Sequence, residues 1–282
     1  LTTRAIGDER IEDDLSTMGE KRMSERNGYE PGTPSWVDLG TPEIAAAASF
    51  YGGLFGWDVP ESENAEQTGG YRQAMKNGKP VAGMMPLMQE GQPPAWSTYI
   101  SVGDADATIA RVKEAGGSVI AEPMDVMDLG RMAIFADPTG AVLGIWQPGA
   151  FIGAGIVSEP GAVVWNELNT RDPEAAKAFY GAVLDWAFEE REFETGTYTS
   201  LKVGDTSVGG MIDITGRAPD EVPAHWLVYF AVEDVDATVA KAKGTGGGVA
   251  LEPFDIAEVG RIAIVKDPFG AVFAVMTPDP SM

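Results

Sequence analysis

The residues best suited to chemistry are few, and two of them recur in the same setting. Asp38 closes the triplet "WVD" that begins at Trp36, and Glu167 closes "WNE" that begins at Trp165. Each acid follows its tryptophan by two residues, so on a strand both side chains share one face. A carboxylate beside an indole, partly withdrawn from water, can accept a ligand hydrogen bond or act as a general base. The single histidine, His225 in "PAHWLVYF", sits at the mouth of a strand, where an imidazole can serve as acid or base near neutral pH. Its counterpart in the first copy of the repeat described below is Ala95, so two symmetric sites cannot both use it. Cysteine is absent, which removes disulfides, thiolate metal sites and cysteine nucleophiles together. "KGTGGGVA" follows a helical pattern rather than preceding one, which is the wrong order for a phosphate loop.

The elements that must position these residues are duplicated. Trp36 answers Trp165, Tyr51 answers Tyr180 and Trp57 answers Trp186, each 129 positions on (165 − 36, 180 − 51, 186 − 57). "GMM" at Gly83 returns as "GMI" at Gly210, and Trp96 returns as Trp226 (offsets 210 − 83 and 226 − 96). Intact blocks separated by small shifts are what duplication of a whole domain leaves. In each copy a short alternating strand (35–40; 164–169) leads to a helix announced by Thr41-Pro42-Glu43 or by Thr170 to Glu174. Two or three strands follow ("YRQAMKNG" and "KPVAGMMPL"; "YTSLKVGD" and "TSVGGMIDI"). A second strand and helix come next, then two strands around the Gly130-Arg131 or Gly260-Arg261 turn. The pattern predicts an α+β chain of two modules, 33–150 and 162–279, joined by a linker at 151–161, with two βαβββ units per module.

The 282 residues are 44% apolar and 22% charged, with no run long enough to cross a bilayer and no secretory pattern, so a cytoplasmic chain is expected. The 43 acids against 20 bases give −23, a surface that repels phosphate backbones and anionic lipid. Nucleic acid and membranes are therefore not expected partners. Residues 1–32 are polar and aperiodic and read as a disordered extension, with a loose helix near Asp8 to Met18 and Met23 as a candidate natural start.

The motifs "FY-x-x-L-x-GW", "V-x-D-x-D-A" and "DP-x-G" before a last strand occur in both copies. In this order they resemble the vicinal oxygen chelate superfamily, which includes glyoxalase I, extradiol dioxygenases and bleomycin-resistance proteins. The tandem arrangement is similar to actinobacterial two-module members. The resemblance implies strands curled around a cup with helices outside, and in the metal enzymes three ligand positions per cup. Here those positions hold Trp36, Ser97 and Gly144 in one copy and Trp165, Leu227 and Ala274 in the other. Ser97 alone among them is a ligand, and a weak one, so no catalytic metal and no cofactor are expected.

Strand alternation then fills the cups. Trp36, Asp38, Ser97, Tyr99 and Trp146 face the first, and Trp165, Glu167, His225, Tyr229 and Met276 face the second, as candidate ligand-binding residues. Indoles, phenols and a thioether with sparse polar points match a small-molecule site. A closed, ligand-free core is the rival reading, disfavoured because Asp38 and Glu167 are costly to bury without partners. Arg72, Arg131 and Arg261 are candidate partners for them. The leading expectation is metal-independent binding or sequestration of an apolar or aromatic metabolite or antibiotic. The alternative is an enzyme, either cofactor-free, with Asp38, Glu167 or His225 as base, or a divergent metal enzyme using those three as ligands. A monomer is sufficient for the paired cups, with a homodimer left open.

Overall fold

Strand β1 (Pro34–Thr41) alternates as its sequence dictates, with Val37 and Leu39 shielded on one face and Trp36 and Asp38 on the other. Helix α1 (Ile44–Phe55) lays Ala47, Phe50 and Tyr51 against the Val37 and Leu39 face. The computed structural model describes residues 24–62, 65–89, 91–193 and 196–279. The first module continues through α2 (Ala65–Thr68), β2 (Arg72–Lys76), β3 (Lys79–Pro86), β4 (Ala95–Ser101), α3 (Ala105–Glu114), β5 (Ser118–Val126), β6 (Gly130–Ala136) and β7 (Val142–Pro148). The second runs β8 (Val163–Thr170), α4 (Pro173–Leu184), β9 (Ala187–Phe193), β10 (Gly196–Val203), β11 (Thr206–Asp213), β12 (His225–Ala231), α5 (Val235–Gly244), β13 (Gly248–Ile256), β14 (Gly260–Lys266) and β15 (Val272–Pro278).

Each module makes its own sheet, ordered β2-β3-β1-β4-β7-β6-β5 in the first and β13-β14-β15-β12-β8-β11-β10-β9 in the second. The antiparallel centres β1–β4 and β8–β12 are flanked by parallel pairs, as two joined half-units require. The α+β architecture and the tandem modules are as expected. One unit departs: after α1 only two strands form, and Asp58 bridges Met75 in isolation where the second module builds β9. The stretch "DVPESENAEQT" (58–68) interrupts with Pro60 and polar residues, whereas "AFEEREF" has no proline and pairs without a break along β10.

The helix starts also differ. Asp172 caps α4 through Ala175 N–H, with Pro173 in the first turn. At α1 the N-cap is Glu43, with no side-chain cap, and Thr41, still within β1, keeps a buried hydroxyl that has no hydrogen-bond partner. Disorder across 1–32 does not hold for Ser24–Gly32. Glu25 bridges Ile156, the Tyr29 hydroxyl donates to Ala154 O at 2.6 Å, and Gly32 N–H donates to Ser101 O. The helix expected near Asp8 to Met18, and Met23, lie outside the described residues.

The helices sit between the two sheets, and each large core is shared. One joins α1 and β1 to Val228, Phe230, Val239 and Phe273 of the second module; the other joins α4 to Ile109, Phe135 and Leu143 of the first. The repeated motifs meet across this boundary. The Tyr51 hydroxyl donates to Asp267 at 3.1 Å and the Tyr180 hydroxyl to Asp137 at 2.9 Å, so each "FY" reaches the other module's "DP-x-G". In each turn the same aspartate's other oxygen accepts two backbone N–H groups, which fixes the turn. Trp57 donates to Gly161 O and Trp186 to Gly32 O. The cups consequently face away from one another.

Candidate functional site

On each cup floor a carboxylate is held by phenols, with an indole in the same network. Register sets Asp38 beside Gly83 on β3 and Ser97 on β4, and sets Trp36 beside Tyr99. The Trp36 Nε1–H donates to Asp38 Oδ1 at 2.8 Å, and the Tyr71 hydroxyl donates to the same oxygen at 2.6 Å. Tyr99 also hydrogen-bonds the acid. In the second cup Glu167 pairs with Gly210 on β11 and Leu227 on β12. The Tyr229 hydroxyl donates to Glu167 Oε1 at 2.9 Å, and Trp165 Nε1–H donates to the Tyr198 hydroxyl at 2.8 Å. The Asn169 Nδ2–H donates to the Glu167 backbone O at 3.4 Å, and Tyr198 stands beside the carboxyl group and steadies its charged form.

Burial and these donors oppose one another. Asp38 and Glu167 are only 7% and 8% exposed. Loss of water raises the Asp38 pKa to about 6, with Tyr71, Trp36 and Tyr99 pulling it back down. Glu167 is raised for the same reason, countered by Tyr229, Tyr198 and Asn169, and by the Arg217 charge. Burial and then the acid's charge push the four phenols up, which keeps them protonated donors. A carboxyl group poised this way accepts a hydrogen bond from a ligand hydroxyl when ionised and can take up a proton near neutral pH.

Glycine makes the network fit. A Cβ on Gly83 would lie 1.9 Å from Asp38 Oδ1 and 2.0 Å from the Tyr71 oxygen; one on Gly210 would lie 1.8 Å from the Tyr198 oxygen. Tyr71 and Tyr198 were not among the residues singled out from sequence. Their signal was present in the 127-residue offset (198 − 71) that they share with Gly83 and Gly210.

The remaining candidates fall as follows. Ser97 is half-buried next to Asp38, and Trp146 is buried, donating to Phe151 O at 2.8 Å. Met276 is buried in the second cup with Tyr229. His225 shares the Glu167 face of the sheet, opposite Asn169, but its Nδ1 lies 2.9 Å from Pro223 O. The arginine partners do not hold. Arg131 pairs with Asp106 and Asp125, Arg261 with Asp236 and Asp255, and Arg72 with Glu61, because their own strands and helices offer nearer acids. A hollow of about 420 Å³ lies elsewhere, on the helix side of β10 and β11 near Glu174, Thr199 and Arg217.

The Glyoxalase/Bleomycin resistance protein/Dioxygenase superfamily model matches residues 33–145 and 162–275, and the chain belongs to that family as two tandem modules. It is 45% identical over 262 residues to the putative glyoxylase CFP32 of Mycobacterium tuberculosis (strain CDC 1551 / Oshkosh), covering 92% of this chain and 99% of that one. It is 42% identical over 264 residues to the anthracycline biosynthesis protein DnrV of Streptomyces peucetius, covering 88% and 94%. Among solved structures, the Mn(II)-bound glyoxalase from Novosphingobium aromaticivorans superposes with TM-score 0.61 at 15% identity, covering 88% of this chain and 82% of that one. The 2,3-dioxygenase LapB from Pseudomonas sp. KL28 does so with TM-score 0.61 at 14%, covering 89% and 94%. These two likenesses are of fold.

The residues present do not fit a metal such as the Mn(II) of that glyoxalase. A Cβ at Gly144 would lie 2.3 Å from the Tyr99 ring, so that ring occupies the space a ligand side chain would need. Asp38 lies in one cup and Glu167 with His225 in the other, and the cups face away from one another, so the three do not converge on one ion. Among the described residues no group of three His, Asp or Glu side chains does so. Nor is any described helix long and apolar enough to cross a membrane.

Proposed function

We propose that the protein binds a small, flat, hydroxylated aromatic molecule in a cup, without a metal, through the acid–phenol floor. The observation that carries this reading is the buried carboxylate held by two phenols, beside an indole, at the floor of each cup. The surrounding indoles and apolar strands offer stacking surface, worth roughly 0.5–1.5 kcal/mol per aromatic contact beyond area burial. The carboxylate gives direction, since a ligand hydroxyl donating to it satisfies an acceptor that is otherwise costly to bury. A relative named for anthracycline biosynthesis is consistent with a polycyclic aromatic ligand.

A cofactor-free enzyme is the second reading, favoured by the Asp38 carboxyl standing near neutrality. A base with such a pKa removes a proton from a phenol or an activated carbon most effectively at working pH. Two measurements separate the readings from a metal enzyme. Metal analysis of protein purified without chelator or tag is expected to give well below one equivalent of Mn, Fe, Ni or Zn. A thermal-shift panel of hydroxylated aromatics is expected to raise the melting temperature in a dose-dependent way. A stoichiometric metal, or a panel without effect, contradicts the proposal; turnover lost in Asp38→Asn with binding retained selects the enzyme.

A further inference from the structure

We propose that the second cup holds its ligand behind an ionic clasp, in which Arg191 on β9 and Glu258 in the β13–β14 turn join the two edges of the sheet across the cup mouth and slow ligand exchange. The inference rests on the reading of the cup as a ligand site.

Strand order carries the argument. β9 is one edge of the eight-stranded sheet, β13 is the other, and six strands separate them. Yet Arg191 Nη2 lies 2.7 Å from Glu258 Oε2, so the sheet curls far enough for its edges to be bridged. Arg191 stands directly opposite Tyr198 in the antiparallel pair, which puts it on the cup face with the phenol that reaches Trp165 and Glu167. The guanidinium also lies 5.0 Å from the Phe193 ring centre, and Phe193 meets Tyr198 edge-on at 6.4 Å. Contacts thus run without a break from the clasp to the acid on the floor.

The pair suits an element that opens. Its side chains are 65% and 70% exposed, where an ion pair adds little to fold stability and is weakened by salt. Glu258 sits at φ 62°, a left-handed turn position that a glutamate adopts infrequently and that presents its side chain at the turn tip. Among the described residues the first cup has no counterpart. It lacks the extra strand, its edge residue Arg72 pairs locally with Glu61, and Asp128, the equivalent of Glu258, accepts Ala150 N–H through its carbonyl.

The test is stopped-flow exchange of 1,4-dihydroxyanthraquinone, a flat probe with two phenolic hydroxyls, followed by tryptophan quenching in the full chain. Arg191→Gln and Glu258→Gln should each release the probe about two- to fivefold faster at low salt, the range an exposed ion pair supports. The charge-swapped double variant Arg191→Glu with Glu258→Arg should return the rate toward wild type. Raising salt from about 0.05 M to about 1 M should speed release from wild type and not from the single variants. Single variants that exchange at the wild-type rate overturn the clasp and leave the binding reading intact, as do rates that rise only in step with a lost melting temperature. A wild-type chain that shows no saturable quenching overturns both.

Discussion

In the first cup Asp38 takes Trp36 and Tyr71 on one oxygen, and above them the Phe151 ring meets Trp36 edge-on at 4.9 Å. In the second, Glu167 takes Tyr229, Trp165 turns to Tyr198, and the indole of Trp165 is left half-exposed. The floors are copies: one acid, two tyrosines, one tryptophan and one glycine at matching register. The closures are not. The first cup is covered at its Trp36 end by the segment between the modules, with Tyr29 bonded to it from the N-terminal side; the second gains β9 and an ion pair across its mouth. Duplicated chemistry kept inside diverged walls is what is expected when the floor constrains the fold or the ligand and the walls set access.

The largest expected effect concerns the floors and has a definite sign. Asp38 has a folded-state pKa of about 6 against an ordinary value of 3.8, so the folded chain holds the proton more tightly than the unfolded one. Its contribution to stability is therefore fully present below about pH 4 and is lost as pH rises to about 6. Asp38→Asn cannot titrate, so urea unfolding across this window should shift in the variant's favour by on the order of 3 kcal/mol. Glu167→Gln should shift in the same direction, and a gap independent of pH would show that the floors are not alike.

Next come the glycines. Gly83→Ala and Gly210→Ala each force a methyl into the acid–phenol contact and should cost roughly 1–3 kcal/mol in denaturant melts, by similar amounts. A neutral result at either position breaks the equivalence of the floors. The smallest effect should separate the closures. Phe151→Ala removes a half-buried ring from Trp36 and Trp146, costing about 1–2 kcal/mol and red-shifting tryptophan emission as the first cup admits water. Unchanged emission would show that Phe151 is not a cover.

How much was legible in the sequence follows from where each residue works. "FY", "GW" and "DP-x-G" are conspicuous in both copies because they bind one module to the other, and Tyr51 with Asp267 or Tyr180 with Asp137 cannot drift singly. They announced the fold and revealed nothing of the site. Strand alternation put Trp36 with Asp38, and Trp165 with Glu167, on one face of their strands, since period two is fixed by the backbone. It set Tyr99 and Tyr229 on the same faces but could not show that Tyr71 and Tyr198 join them, because Tyr71 precedes β2 and Tyr198 lies within β10, a different strand of each sheet. Arginines were the wrong candidates for a plain reason: they are long, and each finds an exposed acid nearby. The Arg191–Glu258 bridge arises from curvature of a whole sheet, to which local pattern is blind.

The most direct test of metal-free binding on an acid–phenol floor is titration of chelator-treated protein with 1,4-dihydroxyanthraquinone, comparing wild type with Glu167→Gln and Tyr198→Phe. Saturable binding in the metal-free chain is predicted, weakened about tenfold or more by Glu167→Gln, the change that loss of one charge-assisted hydrogen bond brings, and less by Tyr198→Phe. Binding that appears only after a stoichiometric divalent metal is restored, or that ignores both substitutions, would contradict it.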